Sequence, residues 1–250
     1  GLVGRRLVDR LVTRGHRAVV LSRSPGAAQN LHGDAELVVG DPCVPGPWQR
    51  FLENCDAVVN LAGENLFARR WSVRQKDLMR SSRIDATRVV ADTLRTVNGP
   101  KVLINGSAIG WYGYHQDESI DESSPPGDDF LAKMCLDWEE ASQVVQAGRR
   151  DVRLVQLRTG VVLDRRGGAL VKMEMPFYFF AGGHVGSGRQ WMSWIHHEDL
   201  ANLIVFALEN GEVVGPLNGT APVPLPMREV CAALGRVLGS PSWLPAPGFA

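Results

Sequence analysis

Short β-branched runs alternate with stretches whose apolar residues recur at helical spacing, and that alternation most constrains the fold. From Leu2 to Arg14, the residues Val3, Leu7, Val8, Leu11 and Val12 share one face of a helix. Gly15 then suits a C-terminal cap. Ala18 to Leu21, Leu37 to Val39 and Ala57 to Leu61 read as strands, the last followed by the small-residue turn Ala62-Gly63. Ser72 to Val97 reads as one long helical stretch. Val102 to Ile104 is a strand that ends in Asn105-Gly106-Ser107. Gln116 to Asp128 is a polar loop, Asp129 to Gln146 a helix and Val152 to Leu157 a strand. Repeated strand–helix units of this kind build a parallel sheet.

After Thr159 the texture changes. Gly167-Gly168, Gly182-Gly183 and Gly186-Ser187-Gly188 interrupt stretches rich in aromatic residues and methionine. A less regular lobe that builds a pocket fits this pattern. Trp191 to Ile195 reads as a strand, and Glu198 to Glu209 as a helix that returns to the main body. Pro241 to Ala250 shows no clear element. The expected division is a main body over 1–163, rejoined at about 196–218, and a lobe made of 164–195 and 219–250.

The chain has 250 residues, enough for one α/β body with a core and a small lobe. Lys+Arg and Asp+Glu both number 27, so no net charge draws it to nucleic acid or an anionic membrane. Cys43, Cys55, Cys135 and Cys231 show neither Cys-x-x-Cys nor zinc-site spacing, which suits reduced thiols and a cytoplasmic setting. No apolar run approaches membrane-spanning length.

The chain opens Gly1-Leu2-Val3-Gly4 directly into the first helix. In a dinucleotide fold, glycines at such a turn let the backbone approach a diphosphate, and the helix N-terminus offers it unpaired N–H groups. Gly1 and Gly4 would be the last two glycines of that fingerprint, with a first strand and glycine expected ahead of them. A plain helix cap reads equally well from Gly-x-x-Gly alone. Ser22-Arg23 ends the next strand, where NAD-binding folds place an acid. Serine and arginine suit the 2′-phosphate of NADP instead; the alternative is a solvated arginine. Arg5 and Arg6 would extend that basic patch or face solvent. Leu61-Ala62-Gly63 lies at a strand's carboxyl end, where open α/β sheets bind ligands. Arg83, on the following helix, would reach the phosphates or pair with Asp85.

Asn60-Leu61-Ala62-Gly63-Glu64-Asn65, Arg70-Trp71, Ser81-Ser82-Arg83, Gly106-Ser107-Ala108, Trp111-Tyr112-Gly113, Leu157 to Leu163 and Trp194-Ile195-His196 follow in one order. Together they resemble the YfcH-like "epimerase family" branch of atypical extended short-chain dehydrogenases. The resemblance implies a Rossmann-like, doubly wound parallel sheet with a small C-terminal substrate lobe, its first strand lying outside this chain. It implies NADP(H) as cofactor, with Ser22, Arg23, Leu61, Ala62, Arg83 and Val161 lining its site.

Typical members of that superfamily use Ser/Thr, Tyr and Lys. The tyrosine moves a proton at the substrate oxygen, the lysine lowers its pKa and holds the nicotinamide ribose, and the serine orients the substrate. Ser107 fits the serine position and Lys133 the lysine position. Four residues before Lys133 stands Asp129, so Tyr-x-x-x-Lys is broken; Tyr112 or Tyr114 would have to substitute. Trp111 and Arg189 are candidate substrate contacts, Arg189 for a phosphate or carboxylate. Trp71, Trp191 and Trp194 join Trp111 as candidates for an aromatic pocket. His196 and His197 precede Glu198 and Asp199, but adjacent histidines do not share a face. That segment reads as helix capping by the acidic groups, and no metal is expected. The expected function is an NADP(H)-dependent oxidoreductase or epimerase-like enzyme on a small carbonyl, hydroxyl or nucleotide-sugar substrate. The alternative is an NADP(H)-binding sensor without turnover.

Overall fold

The computed structural model describes residues 1–67 and 69–245. The last five residues of the expected lobe and of the Pro-rich end lie outside that range. Helix α1 (Leu2–Thr13) opens the chain and buries Leu7 and Val8. Strand β1 (Val19–Ser22) pairs in parallel with β2 (Glu36–Val39). Next come β3 (Ala57–Asn60), α2 (Val73–Thr96), β4 (Val102–Ala108), α3 (Phe130–Gly148) and β5 (Arg153–Thr159). Then β6 (Val161–Asp164), β7 (Gly167–Gly168), α4 (Ala169–Glu174), β8 (Trp191–Met192), β9 (Trp194–His196) and α5 (His197–Glu209) follow. Finally β10 (Gly215–Gly219), β11 (Leu225–Pro226) and α6 (Met227–Leu238) complete the elements.

Strands β10, β5, β4 and β3 form a sheet in that order, every pair parallel. Side chains alternate across it, and the alternation sorts two cores. Leu103 and Leu154 pack with Val90, Leu94 and Val145 of α2 and α3. Their strand neighbours Ile104 and Val155 pack on the other face with Leu7 of α1 and Ile204 and Val205 of α5. Helices on both faces of a parallel sheet make a doubly wound α/β fold. Each fully buried aliphatic side chain contributes about 1.5–3 kcal/mol of burial free energy.

The long helix is a single element. Ser72 Oγ accepts a hydrogen bond from Gln75 N and fixes its start. Strand β4 runs four residues past Ile104, where polarity suggested an end. The polar residues are tolerated because they are paired: Asn60 Nδ2 donates to Asn105 Oδ1 at 2.8 Å and to Thr87 Oγ1 at 2.9 Å. The elements β6, β7, α4, β10, β11 and α6 were not anticipated. Strand β10 hides in Gly-Pro-Leu-Asn-Gly, and α6 ends at Gly239, whose φ of 63° suits glycine. The lobe joins β6 to β9 in parallel and to β7 antiparallel, and pairs β8 with β11 antiparallel. The single strand expected over Trp191 to Ile195 is therefore two, β8 and β9, divided at Ser193, whose carbonyl accepts from Val161 N. No described helix is long and apolar enough to cross a membrane.

Candidate functional site

Helix α1 starts at Gly1, which supplies no side-chain oxygen to cap it. Its first-turn N–H groups therefore point their partial positive charge outward. A side chain at Gly4 would meet nothing within 4 Å, so that flank is open. Ser22 closes β1, and its Oγ accepts from Ser24 N at 3.3 Å, shaping the turn that presents exposed Arg23. Arg5 is exposed as well. Arg6 does not join this patch. It faces Asp164 at 3.9 Å and Glu198 at 3.8 Å on the side of α5.

The turn after β3 is held from beneath. Asn60 Oδ1 accepts from Ala62 N at 3.2 Å. Buried Arg83 donates to Glu64 O at 2.9 Å and to Met79 O at 2.8 Å, with its guanidinium 5.3 Å from the Trp138 ring centre. A Cβ on Gly63 would come within 3.1 Å of that guanidinium, so glycine lets arginine and turn meet. Burial pushes the Arg83 pKa below its ordinary value. No ion pair with Asp85 forms, and Arg83 acts on the Leu61–Glu64 turn through its carbonyl contact. Val161 opens β6 and donates its N–H to Ser193 O at 2.8 Å.

Ser107 lies on β4, 4% exposed. Its hydroxyl donates to Glu139 Oε1 at 2.6 Å. Glu139, on α3, also accepts two bonds from Arg158 of β5, Nε at 2.9 Å and Nη2 at 3.0 Å. Arg158 Nη1 donates to the Tyr112 hydroxyl at 3.1 Å, and that hydroxyl donates to Asn218 Oδ1 at 2.7 Å. Trp111 lies against the Arg158 guanidinium, 4.0 Å from its ring centre. Burial works against the Arg158 charge, but the hydrogen bonds with Glu139 and Tyr112 outweigh it and raise its pKa. Tyr112 is thus fully engaged in a buried network, while Tyr114 is 77% exposed.

The face of α3 that meets β4 carries Leu131, Cys135 and Glu139, each four residues apart. A Cβ on Gly110 would sit 3.2 Å from Leu131 Cβ and 3.8 Å from Cys135 Sγ. Burial pushes the Cys135 thiol up to about 11, so it stays neutral. Lys133 is exposed, about 200° round the helix from Cys135. Asp129 is the helix N-cap, its Oδ1 accepting from Ala132 N at 2.8 Å. The structure therefore brings Ser107 and Tyr112 into one network and leaves Lys133 off that face.

A separate cavity of about 350 Å³ opens in the lobe. Arg189, Trp191, Arg228, Asp117 and Glu229 line it with the Pro224–Pro226 segment. Trp191 is thus the aromatic member of this cavity, while Trp71 sits edge-on to Phe130 at 5.9 Å. At α5, His196 is the N-cap residue, and Glu198 instead accepts from Arg10 at 2.6 Å. Among the described residues no three His, Cys, Asp or Glu side chains group to hold a metal ion. Sequence reading missed Glu139, Arg158, Cys135 and Arg228. The signal for the first two was a charge inside a buried strand, Arg158 after Leu157, which demands a buried partner.

The family profile described as NAD dependent epimerase/dehydratase family matches residues 1–158. The chain is 42% identical to the chloroplastic epimerase family protein SDR39U1 homolog of Arabidopsis thaliana, over all of this chain and 72% of that protein. It superposes on the crystal structure of human epimerase family protein SDR39U1 (isoform 2) with NADPH at a TM-score of 0.85. That match has 33% identity and covers 99% of this chain and 80% of the other. A UDP-glucuronic acid 4-epimerase from Bacillus cereus, in complex with UDP-glucuronic acid and NAD, superposes at 0.84 with 16% identity, a likeness of fold. It covers 99% of this chain and 83% of that one.

Proposed function

The chain belongs to the NAD dependent epimerase/dehydratase family, and on that premise we propose that it binds NADP(H) and acts on a small carbonyl, hydroxyl or nucleotide-sugar substrate. The observation that carries this is a β1 end that bears Ser22 and Arg23 in place of an acid, following a helix α1 whose N-cap Gly1 makes no side-chain cap bond. The human relative, solved with NADPH, supports the same cofactor. Gly1 and Gly4 would flank the diphosphate, and Ser22 and Arg23 would hold the 2′-phosphate. Leu61, Ala62, Gly63 and Val161 would line the sheet edge, with Arg83 fixing the turn. The cofactor, when bound, supplies hydride chemistry.

Ser107 is the residue best placed for substrate. Its proton is committed to Glu139, so its remaining capacity is to accept a hydrogen bond from a substrate hydroxyl. Tyr112 orders Arg158 and Asn218 within the same network. The broken Tyr-x-x-x-Lys pattern fits the atypical, YfcH-like branch. The lobe of 164–195 and 219–250 would close over the substrate.

A second reading is favoured by one observation. Leu131 and Cys135 occupy the α3 face that meets Gly110, three residues after Ser107, and neither is a proton donor suited to neutral pH. NADP(H) binding without turnover follows if no other group supplies that proton. Calorimetry tests the first claim: Arg23→Ala should weaken NADPH about tenfold or more and leave NADH unchanged. Equal loss for both cofactors would overturn the 2′-phosphate role. NADPH consumption across a panel of carbonyl compounds and nucleotide sugars separates enzyme from sensor.

A further inference from the structure

The segment that follows β3 reaches from the main body to the lobe. Its near end is fixed: Glu64 N donates to Ser82 Oγ at 2.9 Å, and Arg83 Nη2 donates to Glu64 O at 2.9 Å. Its far end is fixed as well. Trp71 sits edge-on to Phe130 of α3, its Nε1 donates to Leu66 O at 2.8 Å, and Ser72 caps α2. Between these anchors Phe67 N donates to Asn65 Oδ1 at 2.8 Å, an Asx turn. Phe67 itself is 57% exposed.

One side chain ties this segment to the lobe. Lys172 Nζ of α4 donates to Phe67 O at 2.8 Å, and the ammonium lies 5.3 Å from the Phe67 ring centre. Among the described residues no other hydrogen bond joins 65–71 to the lobe. The lobe in turn touches the start of α1. A Cβ on Gly168 would lie 3.7 Å from Leu2 Cδ2, and one on Gly167 would lie 3.9 Å from Leu2 Cδ1. Leu2 is the first residue of α1, and α4 begins directly after Gly168. Contacts therefore run without a break from the start of α1 through β7 and α4 to Phe67, and on to the turn after β3. That helix start and that turn are the segments to which the cofactor reading assigns the diphosphate and the sheet edge. An exposed lysine bond to a carbonyl has modest net strength, so the bridge has one link that opens more readily than the strands around it.

We propose that the segment 65–71 is a strap over the cofactor cleft, latched by Lys172, and that NADP(H) enters and leaves when the latch opens. The inference rests on the cofactor reading above and adds a gate to it. Stopped-flow binding of NADPH to the full chain tests it. Lys172→Ala should raise the association and dissociation rate constants together, each about fivefold, and leave the affinity within about twofold. Lys172→Arg keeps a cationic donor and should return both rates to near those of the parent. Arg69 and Arg70 are exposed on the strap, so trypsin reports its opening. Cuts after either residue, read by mass spectrometry, should be slowed by NADPH in the parent chain and be faster in Lys172→Ala with or without NADPH. Unchanged rates or unchanged cutting in Lys172→Ala would overturn the gate. So would a rise in the dissociation rate alone, which would make Lys172 an ordinary cofactor contact. A parent chain that takes up no NADPH in calorimetry would overturn the cofactor reading and the gate with it, and that result is visible before any variant is made.

Discussion

Arg158 lies against Trp111 inside the sheet, and Arg228 lines a cavity with Trp191 in the lobe. Both are arginines set near tryptophan, yet Arg158 is 3% exposed and Arg228 is open to solvent. Each guanidinium nitrogen of Arg158 has an acceptor: Glu139 twice, the Tyr112 hydroxyl and the Glu122 carbonyl. Arg228 has no side-chain partner among the described residues. The difference follows from solvation. A buried charge must be paired within the protein because water is gone, whereas an exposed charge keeps its water and remains free for a ligand. The first arrangement holds a structure together; the second leaves its donors open to solvent.

Breaking the buried pair should therefore have the largest effect. Glu139→Ala leaves the Arg158 charge buried and uncompensated, and should lower stability by about 3–5 kcal/mol in urea unfolding. Replacing both residues by leucine should recover much of that loss, because no orphaned charge remains. A single-variant loss below about 1 kcal/mol would mean that water reaches the pair and that the contrast with Arg228 is one of degree.

The alkaline side sharpens the same point with a neutral group. The Cys135 thiol is pushed by burial from 9.0 up to about 11. Its folded pKa lies above its unfolded one, so its contribution is full below about pH 9 and is lost as pH rises through 11. The shift is worth about 3 kcal/mol. Stability measured from pH 8 to 11 should fall less steeply in Cys135→Ala than in the parent chain. Parallel slopes would show that the thiol is hydrated.

Ser107→Ala removes one of three hydrogen bonds to Glu139. The carboxylate keeps its arginine, so the cost should be about 1 kcal/mol. That is small beside Glu139→Ala, and it makes Ser107 a fair subject for substrate binding, since the variant should fold.

The legibility of the chain divides along the same line. The doubly wound fold was readable because Leu103 and Ile104, or Leu154 and Val155, are apolar neighbours that a two-sided core requires. The helix start after Gly1 and the strand end at Ser22 were readable because a backbone turn and a helix start are local features. Strand β10 was not, because Gly215, Pro216 and Asn218 have poor strand propensity and are held there by pairing with β5. Glu139 and Arg158 are nineteen residues apart in sequence, and their pairing exists only once α3 lies on β5. The lobe cavity joins Asp117, Arg189 and Arg228 from three segments, and no local pattern announces such a meeting.

Lys133 supplies the smallest expected effect and the sharpest check on the α3 face. Sequence spacing placed it where a catalytic lysine belongs. The structure places Leu131, Cys135 and Glu139 toward β4 and leaves Lys133 in solvent. Its backbone N–H donates to Asp129 O at 3.0 Å within the first turn, a bond that any residue but proline makes. Lys133→Ala should accordingly change stability by less than about 0.5 kcal/mol and leave NADPH affinity as it was. If NADPH binding instead weakened tenfold while unfolding stayed unchanged, the lysine would be holding the cofactor after all. The face of α3 that matters would then be the one that carries Lys133, and the buried network around Ser107 would be structural alone.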